Sequence, residues 1–157
     1  MQTKQIWFGS NSYKFSGVEH CSNLNWHPTI KDLMDRVNSQ GYEYNAALLV
    51  KYQGSDYLSP HKDDEPMMDP SHPISAIRLG AERELVFTNN KKKHIKTISI
   101  KAGDLYTMPP NIQREFYHSV PKSSRSSQTL TITFRKVLTI LLINYMKLIP
   151  YLITLIL

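Results

Sequence analysis

The chain has 157 residues, enough for one domain with a packed core but not for two. Its formal charge is +6 at pH 7, which favours an anionic partner. One cysteine, Cys21, excludes an internal disulfide framework and any multi-cysteine zinc site; no disulfide partner is expected, and a reducing, intracellular compartment fits. The opening Met-Gln-Thr-Lys-Gln-Ile-Trp lacks the apolar run of a secretory signal.

Residues 1–18 alternate aromatic and small polar residues (Trp7, Phe8, Tyr13, Phe15), predicting short strands joined by a turn. Their rings either pack on the core or form a rim that stacks on a planar ligand such as a base. Ile30, Leu33, Met34 and Val37 recur at i, i+3, i+4 and i+7, predicting one amphipathic helix that starts near Pro28 and ends at Ser39-Gln40-Gly41. Tyr42–Tyr52 reads as a strand. Glu65–Pro73 carries three prolines and must be a loop; His72 inside it is expected to be solvated rather than a ligand. Ile74–Leu79, Glu84–Thr88, Ile95–Ile100, Asp104–Met108, Glu115–Val120 and Gln128–Val137 follow as short segments divided by turns, with Lys91-Lys92-Lys93 at a hairpin tip. Many short strands with one early helix predict a mainly β fold with a flanking helix, a double-stranded β-helix or jelly roll. The domain is expected to span 1–137. The hydrophobic stretch 138–157 falls outside it and has three readings: a poor membrane anchor interrupted by Asn144, Lys147 and Pro150, a terminal helix on a hydrophobic partner, or an extension from an incomplete reading frame.

The chemistry centres on Leu58-Ser-Pro-His-Lys-Asp-Asp-Glu65. In extended chain, His61 and Asp63 point to one side, so an imidazole and a carboxylate converge. They are two thirds of the 2-His-1-carboxylate set that holds non-haem Fe(II) with open coordination positions. His118 in Phe-Tyr-His-Ser-Val-Pro is the best third ligand, because His20, His27, His72 and His94 lie in loop-like or charged contexts. Arg135 shares a strand face with Thr129, Thr131 and Thr133. An inward arginine requires an anion, which a carboxylate cosubstrate or an internal acid would supply.

Taken together, Tyr-Asn-(x)2-Leu-Leu-(x)2-Tyr, His-Lys-Asp-Asp-Glu, Pro-Ile-Ser-Ala-Ile-Arg-Leu-Gly-(x)2-Arg, Gly-Asp-Leu-Tyr-Thr-Met, Phe-Tyr-His-Ser-Val-Pro and Thr-Phe-Arg resemble the AlkB family of Fe(II)- and 2-oxoglutarate-dependent nucleic-acid dealkylases, from about Phe8 to Val137. The resemblance implies His61, Asp63 and His118 as iron ligands and catalytic centre, and Tyr52, Thr131 and Arg135 around 2-oxoglutarate. It implies Asp64 and Glu65 at the substrate pocket, with Phe8 and Tyr13 as recognition aromatics. It also implies O2-dependent hydroxylation of an N-methyl carbon in bases such as 1-methyladenine or 3-methylcytosine, with release of formaldehyde, succinate and CO2. The expected partner is methylated single-stranded or flipped-out RNA or DNA, met by a monomer in cytoplasm, nucleus or the host cytoplasm of a virus. Two positions depart from the family. Thr129 stands where its first cosubstrate arginine would be, and Val50 where an asparagine is common; Arg125, in the preceding loop, is a candidate replacement. The alternatives are an oxygenase acting on a protein or small molecule and a non-catalytic nucleic-acid-binding module.

Overall fold

The computed structural model describes residues 3–15, 17–123 and 127–139. In chain order the elements are β1 (Lys4–Phe8), β2 (Tyr13–Phe15), β3 (Val18–His20), α1 (Pro28–Asn38), β4 (Ala46–Gln53), β5 (Leu58–His61), β6 (Ile74–Gly80), β7 (Arg83–Asn89), β8 (His94–Ile100), β9 (Leu105–Met108), α2 (Pro110–Glu115), β10 (Phe116–Val120) and β11 (Gln128–Arg135). Two antiparallel sheets, ordered β1-β4-β11-β6-β9 and β5-β10-β7-β8, face each other, and β2–β3 is a separate hairpin. This is the expected jelly roll.

The two-residue period of the strands sorts side chains between two apolar layers. On β11, Ile132 and Phe134 are 1% and 0% exposed and pack outward under α1 with Ile30, Met34 and Val37. Thr131, Thr133 and Arg135 alternate with them and point between the sheets, where Trp7, Tyr13, Leu48, Tyr52, Leu85 and Phe87 form the inner core. The helix starts at Pro28, whose fixed φ suits a first helical turn, and His27 Nδ1 accepts the Thr29 N–H.

Three local features differ from expectation. Tyr42–Asn45 is not strand, because the Asn38 side chain bonds both backbone groups of Tyr44, at 2.8 and 2.9 Å, in place of a ladder partner. The Pro109-Pro110 pair, expected only to break the chain, opens the six-residue α2 with Pro110 in its first turn. His72 is not solvated: Nε2 accepts the Glu43 N–H, Nδ1 lies 3.0 Å from the Pro73 carbonyl, and the ring packs edge-on against Tyr44. Leu138 is buried; its N–H donates to the Met67 carbonyl and its own carbonyl accepts from Asn11. The readings for 140–157 and Arg125 lie outside the described residues. Among those described, no helix is long and apolar enough to cross a membrane.

Candidate metal centre

Strand β5 ends at His61, and the antiparallel ladder with β10 sets His118 directly opposite it. The two imidazole centroids are 4.2 Å apart. Asp63, two residues beyond His61, turns its carboxylate between them: Oδ1 lies 3.6 Å from His61 Nε2, and Oδ2 lies 3.9 Å from His118 Nε2. One donor atom from each residue falls within 4.8 Å of the others, and among the described residues no other trio of His, Cys, Asp or Glu does so.

The surroundings tune these donors. The Ser59 carbonyl, 2.9 Å from His61 Nδ1, can only accept, so the ring proton sits on Nδ1 and the Nε2 lone pair is free for a metal. Burial holds His118 down to about 4, outweighing the pull of Asp63, so the ring is neutral at pH 7. Burial works to raise Asp63, yet Arg135, His118 and His61 together hold it down to about 2, keeping it a carboxylate. Arg135 donates to Asp63 Oδ2 at 2.8 Å, so the anion it meets within the described chain is this internal acid. Gln113 of α2 accepts the Asp63 N–H at 3.0 Å.

Asp63 and Arg135 form the wall between two spaces. Outside lies a cleft of about 270 Å³ lined by Lys62, Asp64, Glu65, Gln113 and Arg114 among others. Inside, between the sheets, lies a narrow cavity that the metal trio shares with Tyr52, Arg78, Tyr106, Thr131 and Arg135. The structure thus brings His61, Asp63 and His118 together, puts Tyr52, Thr131 and Arg135 behind them, and sets Asp64 and Glu65 in front. Tyr13 does not stand on a rim. It is 1% exposed, its ring stacks on Phe15 and tilts against Trp7, and its hydroxyl donates to Glu65 Oε1 at 3.0 Å. Phe8 requires a correction: strand alternation turns it to the outer face, where it stacks on Trp26 beneath α1, away from the trio. Phe15 instead reaches the site, edge-on to His61 at 5.4 Å. Gln113 and Arg78 escaped the sequence reading, which had Phe15 only among the aromatics left open between core and rim. Only Arg78 carried a signal, since the alternation Ile74, Ala76, Arg78 puts it on an inward face.

The family model described as 2OG-Fe(II) oxygenase superfamily matches residues 2–140. The chain belongs to that superfamily. Within that superfamily the chain is similar to AlkB homologues. It is 31% identical over 159 residues to DNA oxidative demethylase ALKBH2 of Arabidopsis thaliana, covering 83% of this chain and 50% of that protein. It is 32% identical over 133 residues to the genome polyprotein of Blackberry virus Y, covering 84% and 4%. It is 27% identical over 143 residues to alpha-ketoglutarate-dependent dioxygenase alkB homolog 3 of Homo sapiens, covering 83% and 50%. The chain spans about half the length of the two cellular relatives. The solved structure of OsALKBH1 shares its fold, with a TM-score of 0.57 at 16% identity over 87% of this chain and 79% of that one. The metal and cosubstrate of this superfamily are Fe(II) and 2-oxoglutarate, and the residues present fit both. Two imidazole nitrogens and a carboxylate suit a divalent iron site with open positions. Arg78, Thr131 and Arg135 each keep buried polar atoms without a hydrogen-bond partner among the described residues, as a site for a carboxylate-bearing ligand requires.

Proposed function

We propose that this protein oxidatively demethylates N-alkylated bases in single-stranded or flipped-out RNA or DNA. The reading rests above all on the His61–Asp63–His118 trio, set where an open cleft meets an interior cavity rich in unpartnered donors. When bound, Fe(II) and 2-oxoglutarate would supply, with O2, the hydroxylation of an N-methyl carbon: one oxygen atom goes to succinate as CO2 leaves, and the other to the methyl carbon, which departs as formaldehyde. His61, Asp63 and His118 hold the metal; Tyr52, Thr131 and Arg135 line the space behind it for the cosubstrate. Asp64 and Glu65 border the outer cleft, which admits one extruded base rather than a duplex. Tyr13 braces Glu65 from beneath. Arg135 keeps Asp63 ionised, and the buried side of the trio excludes water from the reacting carbon.

The relatives named as DNA oxidative demethylase and alpha-ketoglutarate-dependent dioxygenase support this substrate class. The charge of +6 suits a partner with a phosphate backbone. Residues 1–137 are taken as the working domain, monomeric and intracellular, where exposed Cys21 stays a free thiol. The test is incubation with Fe(II), 2-oxoglutarate and oligonucleotides carrying 1-methyladenine or 3-methylcytosine, single- and double-stranded. Unmethylated base and stoichiometric succinate are expected, both abolished by a chelator. Folded, metal-loaded protein that produces neither at saturating cosubstrate would overturn the proposal. Succinate release elicited only by a protein or small molecule would assign a different substrate.

A further inference from the structure

Three arginines lie buried between the sheets, and two of them are matched by a carboxylate or by carbonyl oxygens. Arg135 pairs with Asp63. Arg83 donates at 2.7 Å to the Asp56 carbonyl and at 2.6 Å to that of Pro121. Arg78 is 0% exposed and meets no carboxylate among the described residues; the Tyr106 hydroxyl is the neighbour its guanidinium reaches, and that hydroxyl carries no charge to balance it. Its guanidinium sits 5.9 Å from the Tyr52 ring, at the wall of the cavity that the metal trio also lines. A buried cation without a counter-ion is expensive, so a fold that keeps one there needs an anion to complete it.

The ladder locates this cation relative to the family's missing one. Thr129 is 1% exposed and spends its hydroxyl on the Ala81 carbonyl at 3.0 Å, offering no charge to the cavity. Thr129 pairs with Gly80, and Thr131 with Arg78, so Arg78 is the diagonal neighbour of Thr129 on the adjacent strand and the same inward face. Diagonal positions lie ~7–8 Å apart, a span that an arginine side chain covers. We propose that Arg78 of β6 grips the carboxylate of 2-oxoglutarate remote from the keto group, taking the place of the β11 arginine that Thr129 replaced. This assignment rests on the proposed use of 2-oxoglutarate by this chain. The planar fork of a guanidinium suits a bidentate pair with that carboxylate. The cavity keeps only about 30 Å³ beside the present side chains, so its lining must open as the five-carbon diacid enters.

The test compares 2-oxoglutarate with 2-oxopentanoate, which lacks the remote carboxylate, by anaerobic titration of Fe(II)-loaded protein. Binding is read by calorimetry and by the visible band of the iron–2-oxo-acid complex. Wild type is expected to prefer 2-oxoglutarate. Arg78→Met should weaken 2-oxoglutarate roughly 10- to 150-fold and leave 2-oxopentanoate unchanged. Arg78→Lys should fall between, and Arg78→Ser with Thr129→Arg should recover the preference. Arg78→Met should also melt higher than wild type without ligand, having lost an unpaired charge, and gain less on adding 2-oxoglutarate. Equal weakening of both acids, or of neither, would overturn the role of Arg78 while leaving the cosubstrate reading intact. Failure of wild type to bind 2-oxoglutarate at all would instead overturn that reading. If Arg78→Met does not fold, the double variant decides: a preference no better than that of Arg78→Lys refutes the exchange.

Discussion

Asp63 is held from several directions: Arg135 at 2.8 Å, the Gln113 side chain on its backbone N–H, and two imidazoles facing its oxygens. Gln113 touches no donor atom of the trio, yet it fixes where the carboxylate stands. Gln113→Leu should therefore lower affinity for a divalent metal about 10- to 100-fold, measured by Fe(II) or Mn(II) titration, with the fold intact by circular dichroism. An unchanged affinity would remove Gln113 from the site. Burial holds His118 near 4 against its ordinary 6.5, so between those values the unfolded chain takes up a proton that the folded chain refuses. Stability of the metal-free protein thus falls as pH drops through that window, and melting temperatures should show it, with a flatter profile for His118→Asn. His61 and Asp63 were legible because a two-residue spacing in extended chain is nearly a geometric statement. Gln113 was not, because nothing in Pro-Pro-Asn-Ile-Gln announces that a short helix follows or that its amide turns toward residue 63.

At the scale of elements, β6 carries both an inward cation and a terminal glycine on which its pairing depends. Gly80 has φ +82°, and a Cβ there would lie 2.5 Å from the Gln128 carbonyl oxygen of the adjacent strand. Gly80→Ala meets a conformational penalty of ~1–3 kcal/mol and a backbone clash besides. A fall in melting temperature is expected, along with weaker 2-oxoglutarate binding, because the β6–β11 register positions Arg78 beside Thr131. Binding at wild-type strength would show that this register tolerates the shift. The strand pattern was readable almost throughout from alternation and turn residues. It failed at Tyr42–Asn45, where asparagine side chains substitute for a ladder, and it did not say which face Phe8 takes, a residue the family resemblance alone had set at the substrate. Which of two adjacent aromatics, Trp7 or Phe8, turns inward depends on the pairing of β1 with β4, and a strand's own sequence does not state its partner's register.

Across the whole molecule, the interior between the sheets is unusually charged for so small a domain, and ligands should repay that cost. A metal ion at about 100 times its Kd stabilises the fold by ~2.7 kcal/mol. For a chain of this size that corresponds to a rise of roughly 5–11 °C in melting temperature, reversed by chelator; an identical melt with and without metal would contradict a preformed site. The fold and the His61–Asp63 pair were legible from local periodicity and spacing, whereas His118, far along the chain, was reached by elimination and by the family resemblance. The cosubstrate end was not legible, since an arginine moved to a neighbouring strand preserves the chemistry while erasing the linear motif. One feature of the topology reaches back to biosynthesis. The centre of the larger sheet is filled by β11, between β4 and β6, although it is the last of the described strands to be made. On the ribosome, the nascent chain must therefore wait with an open slot in its sheet, its two flanking edges unsealed and its iron ligands unbraced, until the segment bearing Arg135 clears the exit tunnel and slides in.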